Sequence, residues 1–385
     1  MARDADGRVV FVEGGLPGET VEVEVDTAKK DFARARIVEI IEKSPIRDSP
    51  SCAHRRAGCG GCDWMHFQPA AQHDAKVEIV RESLRRTGRL DADLVERIVV
   101  RGGSVSPFGY RTTIRVVGGP DGTIGFREQG SDAVVGVTSC PVAESKLSRL
   151  MSVLEADDGA ELTLRTSVAT GAVTAIWDRR YRKAIRGVPS EVHIGERAWL
   201  TERIAGHDLR VSAGSFFQSG AQAAELLVDA VKRAAPELAN ARHAVDAYGG
   251  VGLFAVAAMD GAEFVTVIES SKSACLDAEY NLQGREARVV RAEVTGWTPP
   301  TGDGATPPVD VIVADPARPG LAKPGVNALA AANAAVLVLV SCDPVSLARD
   351  AALLALAGYH AESVEVLDLF PQTHHVETVT RFVRT

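Results

Sequence analysis

The chain has 385 residues, 45% of them hydrophobic, which is enough for two or three domains with substantial cores. No stretch approaches the roughly 20 apolar residues of a membrane span, and Met1-Ala2-Arg3-Asp4 lacks the start of a secretory leader; a monomeric cytoplasmic enzyme without a membrane partner is expected. The net charge of −8 argues against wholesale nucleic-acid binding, yet residues 1–200 carry 29 basic and 29 acidic side chains, so the acidic excess lies beyond them.

In chain order, residues 7–43 alternate in the manner of short strands at 8–12, 20–25 and 33–40, parted by the turn Gly14-Gly15-Leu16-Pro17-Gly18. This pattern predicts a small N-terminal β-barrel over residues 1–46, cut close at its start. Ser44-Pro45 to Ser49-Pro50 reads as a linker. Residues 52–62 are rich in cysteine, and 69–89 follow a helical pattern that begins at Pro69 and stops at Gly88. Strand-like runs at 111–117, 161–168 and 172–177 then predict an α+β central domain, taken as 47–205. Basic clusters recur in this half: Lys29-Lys30 with Arg34 and Arg36, Arg55-Arg56, Arg81 with Arg85, Arg86 and Arg89, and Arg179-Arg180 with Arg182, Lys183 and Arg186. Phosphate contacts need such local patches rather than a basic total, so RNA stays open as a partner.

From 206 to 385 helices and strands alternate: helix 219–235, strand 244–246, strand 264–268, helix 271–283, strand 289–290, strands ending at Ala314 and Val340, and helix 345–356. Residues 298–308 read as an exposed loop. The alternation predicts an α/β, Rossmann-type doubly wound sheet with ligands at the carboxyl ends of its strands. At one such end, Asp246-Ala247-Tyr248-Gly249-Gly250-Val251-Gly252 lets the backbone turn tightly and approach a ligand. Glu269 closes the next strand, where an acid can hold ribose hydroxyls. Those features suit a dinucleotide as well as S-adenosylmethionine. The next two strand ends carry Asp315-Pro316 and Ser341-Cys342-Asp343-Pro344, and a hydride-transfer site has no use for a thiol there.

A thiol, an acid and a methyl-donor crevice describe covalent methyl transfer to a pyrimidine. Carbon 5 of uracil is a poor nucleophile until a thiolate adds to carbon 6 and pushes electron density onto it. A base must then remove the carbon 5 proton so that the thiol can leave. Cys342 and Asp315 fit as nucleophile and edge-binding acid; Glu377, His374 and His375 in the tail are the candidates for the base. Cys275, on a helix face, reads as a buried structural cysteine. Cys52, Cys59 and Cys62 with intervening glycines form a ligand set, and Cys140, followed by Pro141, is the fourth candidate. Iron–sulfur and four-cysteine zinc sites both suit this set, whereas disulfides do not suit a cytoplasmic chain.

With these motifs in place, the chain resembles the RNA 5-methyluridine (uracil-C5) methyltransferases that use S-adenosylmethionine, over essentially its whole length. The likeness is carried by Phe217-Gln218, the Asp246–Gly252 segment, Glu269, Asp315-Pro316-Ala317-Arg318-Pro319-Gly320, Ser341-Cys342-Asp343-Pro344 and Phe370-Pro371-Gln372-Thr373-His374-His375-Val376-Glu377. It implies Cys342 as nucleophile, Glu377 as base, and Gln218, Tyr248, Gly250, Gly252, Glu269 and Asp315 around the cofactor, with Asp315 also at the uracil edge. Leu253 stands where the family often has an asparagine. The second motif cysteine of the 5-methylcytidine enzymes is missing, which points to uracil. The resemblance further implies a 4Fe–4S cluster on Cys52, Cys59, Cys62 and Cys140, and an OB-like TRAM module as the barrel. Phe216 or Phe217 could hold a target base flipped from its stack. Ribosomal RNA of the large subunit (23S) is the first expected substrate and the T-loop uridine of transfer RNA the second. A non-catalytic RNA-binding or assembly factor and a dinucleotide-dependent oxidoreductase with an iron–sulfur centre are the rival readings, and neither uses the thiol, the acid and the C-terminal glutamate together.

Overall fold

The computed structural model describes residues 2–4, 6–181, 184–300 and 306–385. Arg182 and Lys183 of the last basic cluster, and 301–305 of the 298–308 loop, lie outside the described residues.

The N-terminal strands Ala2–Arg3, Val9–Glu13, Thr20–Ala28 and Phe32–Glu42 form one sheet in the order first, second, fourth, third. Register shifts between Thr20 and Val21, Glu22 and Val23, and Val25 and Thr27 curl it, as bulges do. Its core is small, centred on Val10, Ala33 and Ala35. Arg47 ties it to the following linker through the Glu19 carboxylate, which also accepts from the Leu16 amide at 2.9 Å.

The central unit is a six-stranded sheet in the order Val192–Ile194, Val173–Trp177, Glu161–Thr166, Thr113–Gly118, Ile124–Arg127, Val134–Gly136. Helix Ser145–Met151 covers it through Leu147, Leu150 and Met151. A hairpin, Trp199–Ile204 with His207–Ser212, leads onward. Its turn puts Ala205 (φ 49°) and Gly206 (φ 85°) in the left-handed region, the conformation that suits a two-residue hairpin. Alanine is a rare first residue there, so the turn has no sequence signature.

The C-terminal sheet has eight strands in the order Ala287–Arg291, Phe264–Glu269, His243–Ala247, Val311–Ala314, Val336–Ser341, Glu377–Arg384, Tyr359–Asp368, Val99–Ser104. The first five are parallel, and Glu377–Arg384 inserts antiparallel between its neighbours. Val311–Ala314 and Val336–Ser341 are buried along their whole length, which is why they read as unbroken apolar runs: helices cover both faces. Helix Ala221–Ala234 packs on one face through Leu227, Val228 and Val231. Pro69–Arg86 and Pro344–Leu356 pack on the other through Val80, Leu84, Leu347 and Leu354.

One feature departs from the expected division at 205/206. Helix Pro69–Arg86, placed by sequence in the central domain, packs on the C-terminal sheet, and residues 99–104 of that range form an unexpected edge strand that pairs in parallel with Tyr359–Asp368, Val99 opposite Val364. The helix delivers a buried Lys76 whose Nζ lies 2.7 Å from Asp368 Oδ1 and donates to the Phe370 carbonyl at 3.0 Å. Amphipathic periodicity announces such a helix but does not say which sheet it covers.

Candidate active site

The strand order reverses between His243–Ala247 and Val311–Ala314, so the crevice of the doubly wound sheet opens above these two carboxyl ends. Tyr248 (φ 61°) and Gly250 (φ 54°) turn the chain away from the first strand, and Gly252 (φ 85°) caps helix Leu253–Ala257. At Gly249 a β-carbon would come within 2.7 Å of Val267 and 3.0 Å of the Asp246 carboxyl, so the turn closes only on glycine. Glu269 fastens the turn: its carboxylate accepts from Gly250 N–H at 3.0 Å and Ser271 N–H at 2.6 Å. Asp246 accepts from Ala255 N–H at 2.9 Å, and its other oxygen, fully buried, has no partner among the described residues. Burial, with the fields of Asp315 and Glu269 behind it, pushes the Asp246 carboxyl up to about 7.

Across the crevice Gln218 donates to Asp315 Oδ2 at 3.1 Å. A cavity of about 40 Å³ lies between Gln218, Asp315, Tyr248, Gly250, Leu253 and Phe216. Gln218, Tyr248, Gly250 and Asp315 are thus brought together, with Glu269 directly behind the turn. Leu253 fills its place as a buried apolar wall. Cys275 is buried beneath Glu269, its thiol 3.3 Å from the Glu269 carbonyl, in the structural role expected of it.

Ser341 is the last residue of its strand and pairs with Thr378 of the antiparallel neighbour, whose hydroxyl donates to the Ser341 carbonyl at 3.1 Å. Cys342 directly follows this strand and Glu377 begins its antiparallel neighbour, near enough for the Glu377 charge to act on the thiol. Asp343 then caps helix Pro344–Leu356, accepting from Ser346 N–H at 2.7 Å with Pro344 in the first turn; the turn-like Asp-Pro is a helix start. Burial pushes the Cys342 thiol up to about 11, and the charges of Glu377 and Asp315 add to it, while the Arg318 guanidinium pulls it down. Glu377, 4% exposed, is raised well above the ordinary carboxylate range by burial and by Asp315. Burial likewise takes Asp315 to about 7, against the Gln218 hydrogen bond. Of the three candidates for the base, Glu377 adjoins the thiol. His374 instead binds Asp63 (Nδ1 to Oδ2, 2.6 Å), and His375 lies 3.0 Å from the Arg318 guanidinium. Burial, then His374 and Arg318, lowers His375 to about 4.

Cys52, Cys59, Cys62 and Cys140 line one cavity of about 300 Å³ with apolar walls at Met65, Ile114, Phe126 and Val142. Burial pushes the Cys62 thiol up to about 12, with the charges of Cys140, Cys59 and Cys52 adding to it and Arg111 opposing. Four thiols that line one cavity form a donor set that a polycation would satisfy. Among the described residues no three Cys, His, Asp or Glu side chains converge closely enough for a single metal ion; the thiols surround a space rather than a point. Gly60 lets this loop lie against Arg127–Gln129, where a β-carbon would meet backbone at 3.1 Å.

This cavity is joined to the thiol site by contacts that sequence reasoning missed. Gln372 (φ 69°) accepts from Trp64 N–H at 2.9 Å. Gln72, fully buried, receives Gln372 N–H at 2.7 Å and donates to the Phe67 carbonyl at 2.6 Å. Tyr110 donates its hydroxyl to the Pro371 carbonyl at 3.1 Å. The segment leading to Glu377 is therefore held by Trp64 just after the cysteine loop, by Gln72 of helix Pro69–Arg86 and by Tyr110. A glutamine inside a helical pattern gives no sign of this, because its partner is 300 residues away. On the opposite side of Phe216 and Gln218 a cleft of about 550 Å³ opens over the central sheet, lined by Arg111, Arg115, Thr163 and Phe370 among others. Phe216 projects at its rim, 71% exposed.

A sheet that reverses at a glycine turn and ends in a thiol opposite a carboxyl is the frame of an S-adenosylmethionine-dependent methyltransferase. The tRNA (uracil-54, C5)-methyltransferase of Pyrococcus abyssi, solved with S-adenosyl-L-homocysteine, has the same fold over 97% of this chain and 96% of its own, with a TM-score of 0.72 at 24% identity. Residues 1–38 match the TRAM domain. In sequence, an uncharacterized RNA methyltransferase of Streptomyces avermitilis is 34% identical over 98% of this chain and 94% of the relative. The 23S rRNA (uracil(1939)-C(5))-methyltransferase RlmD of Shewanella piezotolerans is 32% identical over 98% and 91% respectively. The chain belongs to this family of S-adenosylmethionine-dependent RNA (uracil-C5) methyltransferases.

Proposed function

We propose that the protein methylates carbon 5 of a uridine in 23S ribosomal RNA through a covalent adduct on Cys342. The observation that carries the reading is the grouping of Cys342, Glu377 and Asp315, in which the thiol just past the Ser341–Thr378 pair feels both carboxyl charges. Cys342 first loses its proton to water, a step that burial opposes and that the start of helix Pro344–Leu356 and the Arg318 guanidinium favour; the thiolate then adds to carbon 6 and the carbon 5–carbon 6 π pair moves into an enolate. Asp315, steadied by Gln218, holds the pyrimidine edge. Carbon 5 takes the methyl group of the sulfonium donor, whose carbon–sulfur bond breaks to leave the neutral thioether. Glu377 then accepts the carbon 5 proton; the freed pair restores the double bond and expels the Cys342 thiolate. A carboxyl held above its ordinary range is a better acceptor for this purpose than an exposed one.

Tyr248, Gly250, Gly252, Glu269 and Gln218 would hold the donor, and Asp315 borders both donor and base. Cys52, Cys59, Cys62 and Cys140 line one cavity and would together hold a 4Fe–4S cluster, with a four-cysteine zinc site as the alternative. Such a cluster would supply positive charge that satisfies four thiolates; the methyl transfer itself is not a redox step. Arg111 and Arg115 in the adjoining cleft suit an RNA backbone, and Phe216 offers a stacking face to a flipped base. Relatives named for 23S rRNA, at 32% identity over nearly the full chain, support ribosomal over transfer RNA.

The test uses unmodified ribosomal and transfer RNA tritiated at uridine carbon 5, the anaerobically purified full chain, S-adenosylmethionine and a Cys342→Ala control. Tritium release from ribosomal RNA alone, absent in the control, is the expected result. Release from transfer RNA would move the substrate, and release that survives Cys342→Ala would overturn the chemistry.

A further inference from the structure

Behind the loop that carries Gln218 lies a buried polar network that the mechanism leaves unused. Helix Lys272–Asn281 starts just after Glu269, and two of its side chains, four residues apart and so on one face, reach the strand His207–Ser212. Asp277 is 0% exposed. Its carboxylate accepts from Ser212 N–H at 2.8 Å, the Ser212 hydroxyl at 2.7 Å and the Ser215 hydroxyl at 2.7 Å, with Arg210 Nε at 3.2 Å. Asn281 accepts from Arg210 N–H at 2.7 Å and donates both to the Arg210 carbonyl at 3.0 Å and to the Val251 carbonyl, inside the glycine turn, at 2.9 Å. From the central sheet Arg165, 3% exposed, donates to the Ser212 carbonyl at 2.8 Å and the Ser215 carbonyl at 2.7 Å. Ser215 stands three residues before Gln218.

Three parts of the crevice therefore hang on one helix: Glu269 at its start, the glycine turn through Asn281, and the Gln218 loop through Asp277. We propose that Asp277 and Asn281 are positioning residues for the methyl donor, holding the Gln218 loop at a set distance from the glycine turn. A charged group removed from water is weak evidence for stability, because apolar packing of the same volume serves as well or better. What a carboxylate with three directional donors adds is placement. The inference rests on the reading that the donor lies between the glycine turn and Gln218.

The experiment measures S-adenosylmethionine affinity by calorimetry on the full chain for Asp277→Ala, Asp277→Asn and Asn281→Ala, with melting temperatures, the KM for each substrate and kcat. Asp277→Ala, which removes the acceptor of all three hydrogen bonds, is expected to weaken donor binding at least about tenfold. The KM for the donor rises in step, kcat at saturating donor changes little, and Asp277→Asn recovers most of the loss. Asn281→Ala, which leaves the charged centre intact, carries the test where Asp277→Ala does not fold. Lowered melting temperatures with donor affinity unchanged within about twofold would overturn the inference and leave a structural network. Glu269→Ala separates the two readings. If it weakens the donor while the Asp277 and Asn281 variants do not, positioning alone fails; if it too binds normally, the donor site itself is misplaced.

Discussion

Replacing Glu377 by glutamine separates the two halves of the proposed reaction. The side chain is 4% exposed and begins its strand beside Thr378, so an isosteric amide keeps the packing while removing the proton acceptor. Addition and methyl transfer need Cys342 and not the base, so the variant should run one methyl transfer per chain and stop as an RNA–protein adduct. Turnover should fall by about 10²- to 10⁴-fold, the range for loss of a general base. The same change removes one of the two carboxylates that raise the thiol. The wild-type thiol stands at about 11, with Glu377 the first charge behind burial, so the pH at which adduct formation reaches half its maximal rate should fall in the variant. Quenched-flow methyl incorporation and a denaturing gel of labelled RNA, over a pH series, read both effects. Tritium release at the wild-type rate would refute the role of Glu377. An intact thiol that forms neither burst nor adduct would refute the order of steps.

Lys76→Ala should destabilise the fold by about 3–5 kcal/mol by leaving Asp368 buried without its cation, read as a lower urea midpoint; Lys76→Met with Asp368→Leu should recover most of it. The Arg47 hydrogen bond, then burial acting against it, leaves Glu19 at about 2, below its ordinary 4.5. Its contribution to holding the N-terminal sheet is therefore fully present above pH 4.5 and lost as pH falls through about 2, and Glu19→Gln should flatten that decline in hydrogen exchange of residues 9–42. Cys62→Ser should abolish tightly bound iron and acid-labile sulfide. By loosening the Trp64–Gln372 contact it should also slow tritium release more than adduct formation. Zinc retained in stoichiometric amount by the native chain would refute the cluster.

The readable parts of the sequence were those whose chemistry is local. Unbroken apolar runs announced Val311–Ala314 and Val336–Ser341, and glycines that only glycine satisfies marked the turn after Asp246. Cys342 and Asp315 were proposed from their places just after apolar strands, and Glu377 from the tail motif that the family resemblance carries. Helix Ala322–Ala330 was missed since Lys323-Pro324-Gly325 resembles a turn, although proline is tolerated in a first helical turn. The strand Val99–Ser104 was missed because Gly102 and Gly103 weaken its signal. Both glycines lie under side chains that a β-carbon would have to push aside, Leu367 at 2.7 Å from the first and Leu226 at 2.6 Å from the second. Asp63, Gln72, Asp277 and Asn281 were invisible for a different reason. Their partners lie far along the chain, and no spacing rule connects them.

The strand Val99–Ser104 also sets when this protein can finish folding. During synthesis its helix and strand emerge early, while Lys76 meets Asp368 only after a further 292 residues. At roughly 5–20 residues per second, that is a wait on the order of 15 to 60 seconds. Throughout it, the apolar face of helix Pro69–Arg86 has no sheet to cover. The converse holds for dissection: a fragment begun at residue 206 would present Tyr359–Asp368 as a bare edge strand, a template for aggregation. The catalytic sheet is thus closed by the first third of the chain, and the shortest segment that includes all its strands begins no later than Val99.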